Sequence, residues 1–182
     1  MSDAAGHRTL VVIDMQEVFA DPASPWATPG FAEIAPGVAR LAERFAPDVV
    51  LTRFVAPDRP RGAWVKYYQQ WAFALQPAQA PLWRVVPELA SGGHPVIDRP
   101  SFGKWGAELR AATRGSTGLV LCGVSTDCCV LSTALAAADD GMAVQVVADA
   151  CAGAGDRDHQ RALDAMALYG PLITITSVAD LA

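Results

Sequence analysis

Four short stretches of the chain are almost uniformly apolar and end in polar or turn-forming residues: residues 10–13, 49–51, 119–121 and 144–147. A strand with one solvated face alternates apolar and polar residues, whereas a run without alternation fits a strand buried on both faces, as in a parallel sheet. Residues 95–97 and 172–175 are weaker candidates of the same kind. Between the runs, residues 38–45, 107–113, 129–140 and 159–169 carry apolar side chains at helical spacing. Strand and helix therefore alternate. This predicts right-handed βαβ crossovers and an α/β fold, with a mainly parallel sheet of about six strands covered by helices on both faces.

In such sheets the functional crevice lies beyond the carboxyl ends of the strands. The residues there are Asp14, Arg53 with Phe54, Arg99, residues 125–129 and Asp149. The longest segment without a strong strand signal is 55–80; it contains Trp64, Tyr67, Tyr68, Trp71 and Phe73 and is expected to form a pocket lid or an oligomer contact.

Composition narrows the picture. With 182 residues, 52% of them hydrophobic and 18% charged, the chain suits one domain over residues 1–182. A net charge of −5 argues against nucleic acid or an anionic membrane surface as partner, since both require clustered Lys and Arg. No run approaches the roughly 18 consecutive apolar residues of a membrane helix. Residues 1–8 are polar and lack the apolar stretch of a secretory signal, so a cytoplasmic location is expected. The four cysteines, two of them adjacent, are expected to be reduced thiols rather than a disulfide framework.

The sharpest local feature is GVSTDCCV, residues 123–130, where a buried strand gives way to a helix predicted to start near Asp127 or Cys128. A cysteine on that first turn meets free backbone N–H groups and the positive end of the helix dipole. Both are expected to lower its thiol pKa, and the same N–H groups can bind an oxyanion. Read alone, such a cysteine is better explained as a small buried apolar residue. Asp14, directly after LVVI, places a carboxylate at the end of a central strand, where it can serve as a general base or cap the next segment. The three histidines, His7, His94 and His159, follow no strand, and His159 is expected on a surface helix. A Cys–His pair is therefore not expected. No H-x-H or D-x-H cluster suggests a metal site, and no cofactor is implied.

Taken in order, LVVIDMQ (10–16), TRF (52–54), GVSTDCCV (123–130), STALAAADDG (132–141) and VVADACAG (146–153) resemble the isochorismatase-like cysteine hydrolase family over nearly the whole chain. The resemblance implies a three-layer α/β/α sandwich with a six-stranded parallel sheet. It also implies an Asp–Lys–Cys triad, with Asp14 as acid and base, Cys129 as nucleophile and Cys128 as a neighbour. A cis peptide before Ser125 would aim the amides of Ser125 and Cys129 into an oxyanion hole.

The family's lysine position falls on Arg99 in VIDRPSFGKWG (96–106), and the nearest lysine is Lys104. Lys104 is placed first, with Arg99 as the alternative. Where the family's metal-dependent nicotinamidases carry Asp-x-His, this chain has Thr52, Arg53 and Phe54, so no metal is expected. Phe19, Trp26, Phe54, Tyr68 and Trp105 are the expected substrate-pocket residues, with Trp64 and Trp71 nearby; core packing or a subunit interface explains each of them as well. The implied reaction is hydrolysis of a C–N bond in a small amide, carbamoyl compound or imide through a thioester, by a homo-oligomer, dimer or tetramer. Two alternatives stand beside it: vinyl ether hydrolysis with Asp14 as acid, and a redox-sensing thiol protein using Cys129 with Cys128.

Overall fold

The computed structural model describes residues 6–181. Its elements run β1 (Arg8–Ile13), α1 (Glu17–Ala20), α2 (Phe31–Phe45), β2 (Val49–Phe54), α3 (Ala63–Gln70), α4 (Pro87–Ala90), β3 (Val96–Arg99), α5 (Ala107–Ala112), β4 (Gly118–Val124), α6 (Leu131–Asp139), β5 (Ala143–Ala152), α7 (Asp156–Ala167) and β6 (Ile173–Thr176). All six strands are parallel, in the order β3-β2-β1-β4-β5-β6. Successive strands add leftwards from β1 to β3 and rightwards from β4 to β6. Right-handed crossovers then put the helix after β1 on one face and those after β4 and β5 on the other, which gives three layers.

The uninterrupted apolar runs are β1 and β4, the two central strands. Leu10, Val11, Ile13 and the whole of Leu119–Cys122 are inaccessible to solvent. β3 sits at the edge with alternating exposure, and that explains its weaker signal. α2 begins at Phe31, earlier than expected from residue 38, because Pro36 and Gly37 interrupt the pattern. Phe31 and Ile34 nevertheless lie on the same buried stripe as Val38 and Leu41. β5 runs past Val147 to Ala152, with a register shift against β4 between Leu121 and Gly123. Asp149 therefore lies within a strand, where its Oδ1 accepts a hydrogen bond from the Val178 amide.

At the carboxyl ends of β1 and β4 the strand order reverses, and a crevice opens between the outgoing chains. Gly123 makes this junction possible. Its φ is +110°, and a Cβ there would lie 2.1 Å from the Ile13 carbonyl oxygen. No helix among the described residues is long and apolar enough to cross a membrane.

Candidate active site

Asp14 is the first residue after β1 and adopts φ +49°, the left-handed region that few non-glycine residues visit. Its carboxylate is inaccessible to solvent. Thr52, two residues before the end of β2, donates from its hydroxyl to Asp14 Oδ1 at 2.7 Å. The ammonium of Lys104 lies 2.8 Å from Oδ2, and that side chain is also fully buried. The approach to Oδ2 is an ion pair without hydrogen-bond alignment, and Oδ2 has no other polar partner among the described residues. A buried carboxylate is tolerable only when paired, and here the pair supplies the compensation.

Lys104 reaches this position from the irregular stretch between β3 and α5. Its backbone amide donates to Thr133 Oγ1 at 2.9 Å, its Nζ donates to the Ser101 carbonyl at 2.9 Å, and Nζ stands 5.0 Å from the centre of the Phe54 ring. Thr133 in turn donates to the Cys129 carbonyl at 2.6 Å. One hydroxyl thus ties the lysine loop to the cysteine turn.

Cys129 sits in a π-helical turn, Thr126–Val130, that leads into α6. The Ser125 carbonyl accepts the amides of Cys128 at 3.2 Å and Val130 at 3.1 Å, on either side of Cys129. The Val124–Ser125 peptide is cis. Cys129 is 4% exposed, and the charges of Asp14 and Lys104 both act on its thiol. Its pKa is raised well above the ordinary thiol value, first by burial and then by the Asp14 charge, with Lys104 acting in the opposite sense. This is opposite to the expectation that the helix start would lower the pKa: burial and the adjacent Asp14 charge raise it. The resting group is a thiol.

In front of Cys129 lies a cavity of about 380 Å³ whose lining includes Phe19, Trp26, Phe54, Tyr67, Trp71 and Phe102, with Ser125, Asp127 and Cys128 as neighbours of the thiol. Trp26 is the hub of this wall, with ring centres 5.6 Å from Phe54, 5.9 Å from Tyr67 and 6.2 Å from Trp71. Of the pocket residues expected from sequence, Phe19, Trp26 and Phe54 line the cavity.

Tyr68 and Trp105 do not. Neighbouring positions on a helix point about 100° apart. α3 therefore turns Tyr67 to the cavity and buries Tyr68 behind it, 6.1 Å from the Trp64 ring. Lys104 turns inward, and its neighbour Trp105 points away, packing under the Arg110 guanidinium and donating to Asp140 Oδ2 at 3.1 Å. Arg99 also lies apart from Asp14. Its NH1 is 3.8 Å from Glu108, and its guanidinium lies so close over Gly106 that a Cβ there would come within 3.1 Å.

Several residues that shape the site were not singled out in the sequence. Thr52 was noted only as part of TRF, although its place at the end of a buried strand beside Asp14 is a usable signal. Gln16, in LVVIDMQ, is fully buried; it donates to the carbonyls of Phe54 and Trp83 and accepts the Phe54 amide at 2.7 Å, pinning the aromatic segment to β1. His159 is half-buried rather than on the surface, with Nδ1 2.8 Å from Thr126 Oγ1, and burial lowers its pKa. At the position of the Asp-x-His motif, Thr52 serves Asp14, Arg53 pairs with Asp98 at 2.7 Å, and Phe54 covers Lys104. These three side chains do not make a metal-ligand set.

A family model described as Isochorismatase domain matches residues 8–179. Isochorismatase domain-containing protein 2 of Macaca fascicularis is 28% identical over 169 residues, covering 93% of this chain and 71% of that protein. The Xenopus laevis protein of the same description is 36% identical over 92 residues, 49% of this chain and 45% of its own length, so that match spans less than half of the relative. Among solved structures, pyrazinamidase of Pyrococcus horikoshii in complex with zinc superposes with a TM-score of 0.78 at 26% identity, over 94% of this chain and 99% of that one. N-carbamoylsarcosine amidase from Thermoplasma acidophilum gives a TM-score of 0.75 at 24% identity, over 94% and 96% of the two chains, a likeness of fold.

Proposed function

We propose that this chain, which belongs to the isochorismatase family, hydrolyses a C–N bond of a small amide, carbamoyl compound or imide through a thioester on Cys129. The observation that carries the reading is the fully buried Asp14–Lys104 ion pair beside a thiol that opens onto the cavity. A protonated nucleophile next to a buried carboxylate needs that carboxylate as its base at the moment of attack.

In the first half-reaction Asp14 takes the Cys129 proton as sulfur bonds to the carbonyl carbon. The amides of Ser125 and Cys129 hold the developing oxyanion. The tetrahedral adduct collapses, the C–N bond breaks, and Asp14 gives its proton to the leaving nitrogen. In the second half-reaction Asp14 takes a proton from water, hydroxide oxygen bonds to the thioester carbon, and the C–S bond breaks. Asp14 returns the proton to sulfur. Lys104 pairs with the carboxylate and keeps it in place between these transfers. No step runs through a metal, because Thr52, Arg53 and Phe54 are otherwise engaged.

The amidase names of two structural relatives support this reaction class. The raised thiol pKa counts against the oxidant-sensing alternative, since oxidation proceeds through the thiolate. The four described cysteines are free, which suits work in a reducing compartment. The test is ammonia release from a panel of primary amides and carbamoyl compounds by wild type, Cys129→Ala, Asp14→Asn, Lys104→Ala and Arg99→Ala. Turnover that disappears in the first three and survives in the fourth is the expected result. Activity retained by Cys129→Ala would overturn the thioester route.

A further inference from the structure

The cavity in front of Cys129 has an electrostatic character that its aromatic walls do not reveal by themselves. Among the described residues its lining contains one charged side chain, Asp127, and no Lys, Arg or His. The nearby cations are committed elsewhere. Lys104 is sealed behind Phe54 and bound to Asp14 and the Ser101 carbonyl. Arg53 is held by Asp98, Arg99 lies against Glu108, and Arg59 and Arg61 line a separate surface cavity. The Asp14–Lys104 pair cancels in charge, which leaves Asp127 as the net charge among the lining residues, with the Asp158 charge also reaching Cys128.

Asp127 is also fixed in direction. Its Oδ1 accepts the Ala154 amide at 2.9 Å, and Gly153 leaves room for that oxygen, since a Cβ there would lie 2.8 Å from it. Oδ2 stands 3.7 Å from the thiol of Cys128, which also lines the cavity, and the Asp127 charge helps raise the Cys128 pKa. The same cavity is lined by Trp26, Tyr67 and Trp71, and aromatic faces attract cations as well. The chain's net charge of −5 adds repulsion of anions during approach.

We propose that this site takes amides whose non-reacting part is flat or apolar and either uncharged or positively charged, that it rejects amides bearing a carboxylate, and that Asp127 sets this preference. The inference rests on the reading of Cys129 as the centre of an amide-hydrolysing site. It concerns the body of the substrate and not the bond broken. A cavity of about 380 Å³ is near the small end of ligand pockets and suits a single-ring molecule.

Binding to Cys129→Ala, with Cys129→Ser as a second variant should the alanine protein fold poorly, tests the preference without turnover. Two probes of similar shape and opposite charge, 3-(aminomethyl)benzamide and 3-carbamoylbenzoate, and their unsubstituted parent benzamide are titrated calorimetrically at low salt. The expected result is that the ammonium probe binds about tenfold or more tightly than the carboxylate probe, as a unit charge at close range in a partly solvated site implies. Benzamide should fall between them, and the spread should shrink with added salt. Introducing Asp127→Asn keeps an oxygen for the Ala154 amide, removes the charge, and should bring the ammonium probe to the level of benzamide.

Tighter binding of the carboxylate probe, an unchanged ranking in Asp127→Asn, or no binding of any probe would overturn the proposal. The thioester reading fails by a separate route, through activity surviving in Cys129→Ala. The two failures are therefore distinguishable.

Discussion

Two regions face the same cavity and are built on opposite principles. The corner formed by Asp14, Thr52 and Cys129 hangs from the ends of three adjacent strands, where parallel register fixes each residue relative to its neighbours. The opposite wall, formed by Trp26, Tyr67 and Trp71, comes from the loop before α2 and from α3 and its C-terminal end, and is held by ring contacts, while Gln16 fixes the backbone at Phe54 and Trp83 on either side of α3. The first region has few atoms to spare and little freedom. The second can change rings without disturbing the sheet. Chemistry is thereby separated from recognition within one cavity, and substitutions on the two sides should read out differently.

The largest effects are expected in the strand-end corner. Cys129→Ala and Asp14→Asn should each lower kcat by about 10⁴-fold or more, as for other residues that act together as one nucleophilic unit, with Asp14→Asn also losing stability because it leaves the Lys104 ammonium buried without its partner; steady-state kinetics with circular dichroism checks this. Lys104→Ala combines lost activity with lost stability. It leaves a buried carboxylate unpaired, a change worth about 3–5 kcal/mol, measurable by urea denaturation. Arg99→Ala should leave both quantities near wild type. Equal losses in the two variants would erase the distinction drawn between them.

The aromatic side divides in its own way. Trp83 is fully buried behind the wall, so Trp83→Ala should cost about 3–5 kcal/mol in unfolding free energy. Trp26 lines the cavity, and Trp26→Ala should mainly raise KM, by about tenfold, with a smaller change in kcat. A fall in kcat as large as that of Asp14→Asn would show that the wall takes part in the chemistry.

The smallest effect concerns pH and belongs to the sheet. Burial pushes the Cys151 thiol from 9.0 up to about 12. The unfolded chain therefore ionises first as pH rises. The stabilisation from keeping this thiol neutral is fully present below pH 9 and is lost as pH climbs towards 12, by about 1.4 kcal/mol at one unit above the unfolded value. Thermal unfolding of wild type and Cys151→Ala between pH 8 and 10.5 should show a shallower alkaline decline in the variant.

The same division explains what could be read from the sequence. β1, β2, β4 and β5 announce themselves as apolar runs because both sides of each strand are covered, and Asp14 and Cys129 are legible as the polar residues that follow two of them. The cation at Asp14 was legible only in part: Lys104 was placed first and is the residue that pairs with Asp14, but Arg99 stayed open beside it. Arg99 occupies the strand end, but the loop beyond it folds Lys104 back five residues later, and no periodicity encodes such a return. Tyr68 and Trp105 were misplaced for a related reason. Within 55–80 and 100–106 the direction of a ring depends on tertiary packing, so the type of residue indicated a pocket without showing which neighbour faces it. The thiol pKa went the opposite way from expectation because a helix start is visible in sequence and the depth of burial beside Asp14 is not.

The most direct test of a thioester on Cys129 is mass spectrometry of the protein quenched during turnover of a good amide substrate, followed by peptide mapping. The mechanism predicts a peptide containing Cys129 heavier by the acyl group, absent from Cys129→Ala and from protein without substrate. Steady turnover with no acyl adduct on Cys129, together with hydrolysis by Cys129→Ala, would contradict it.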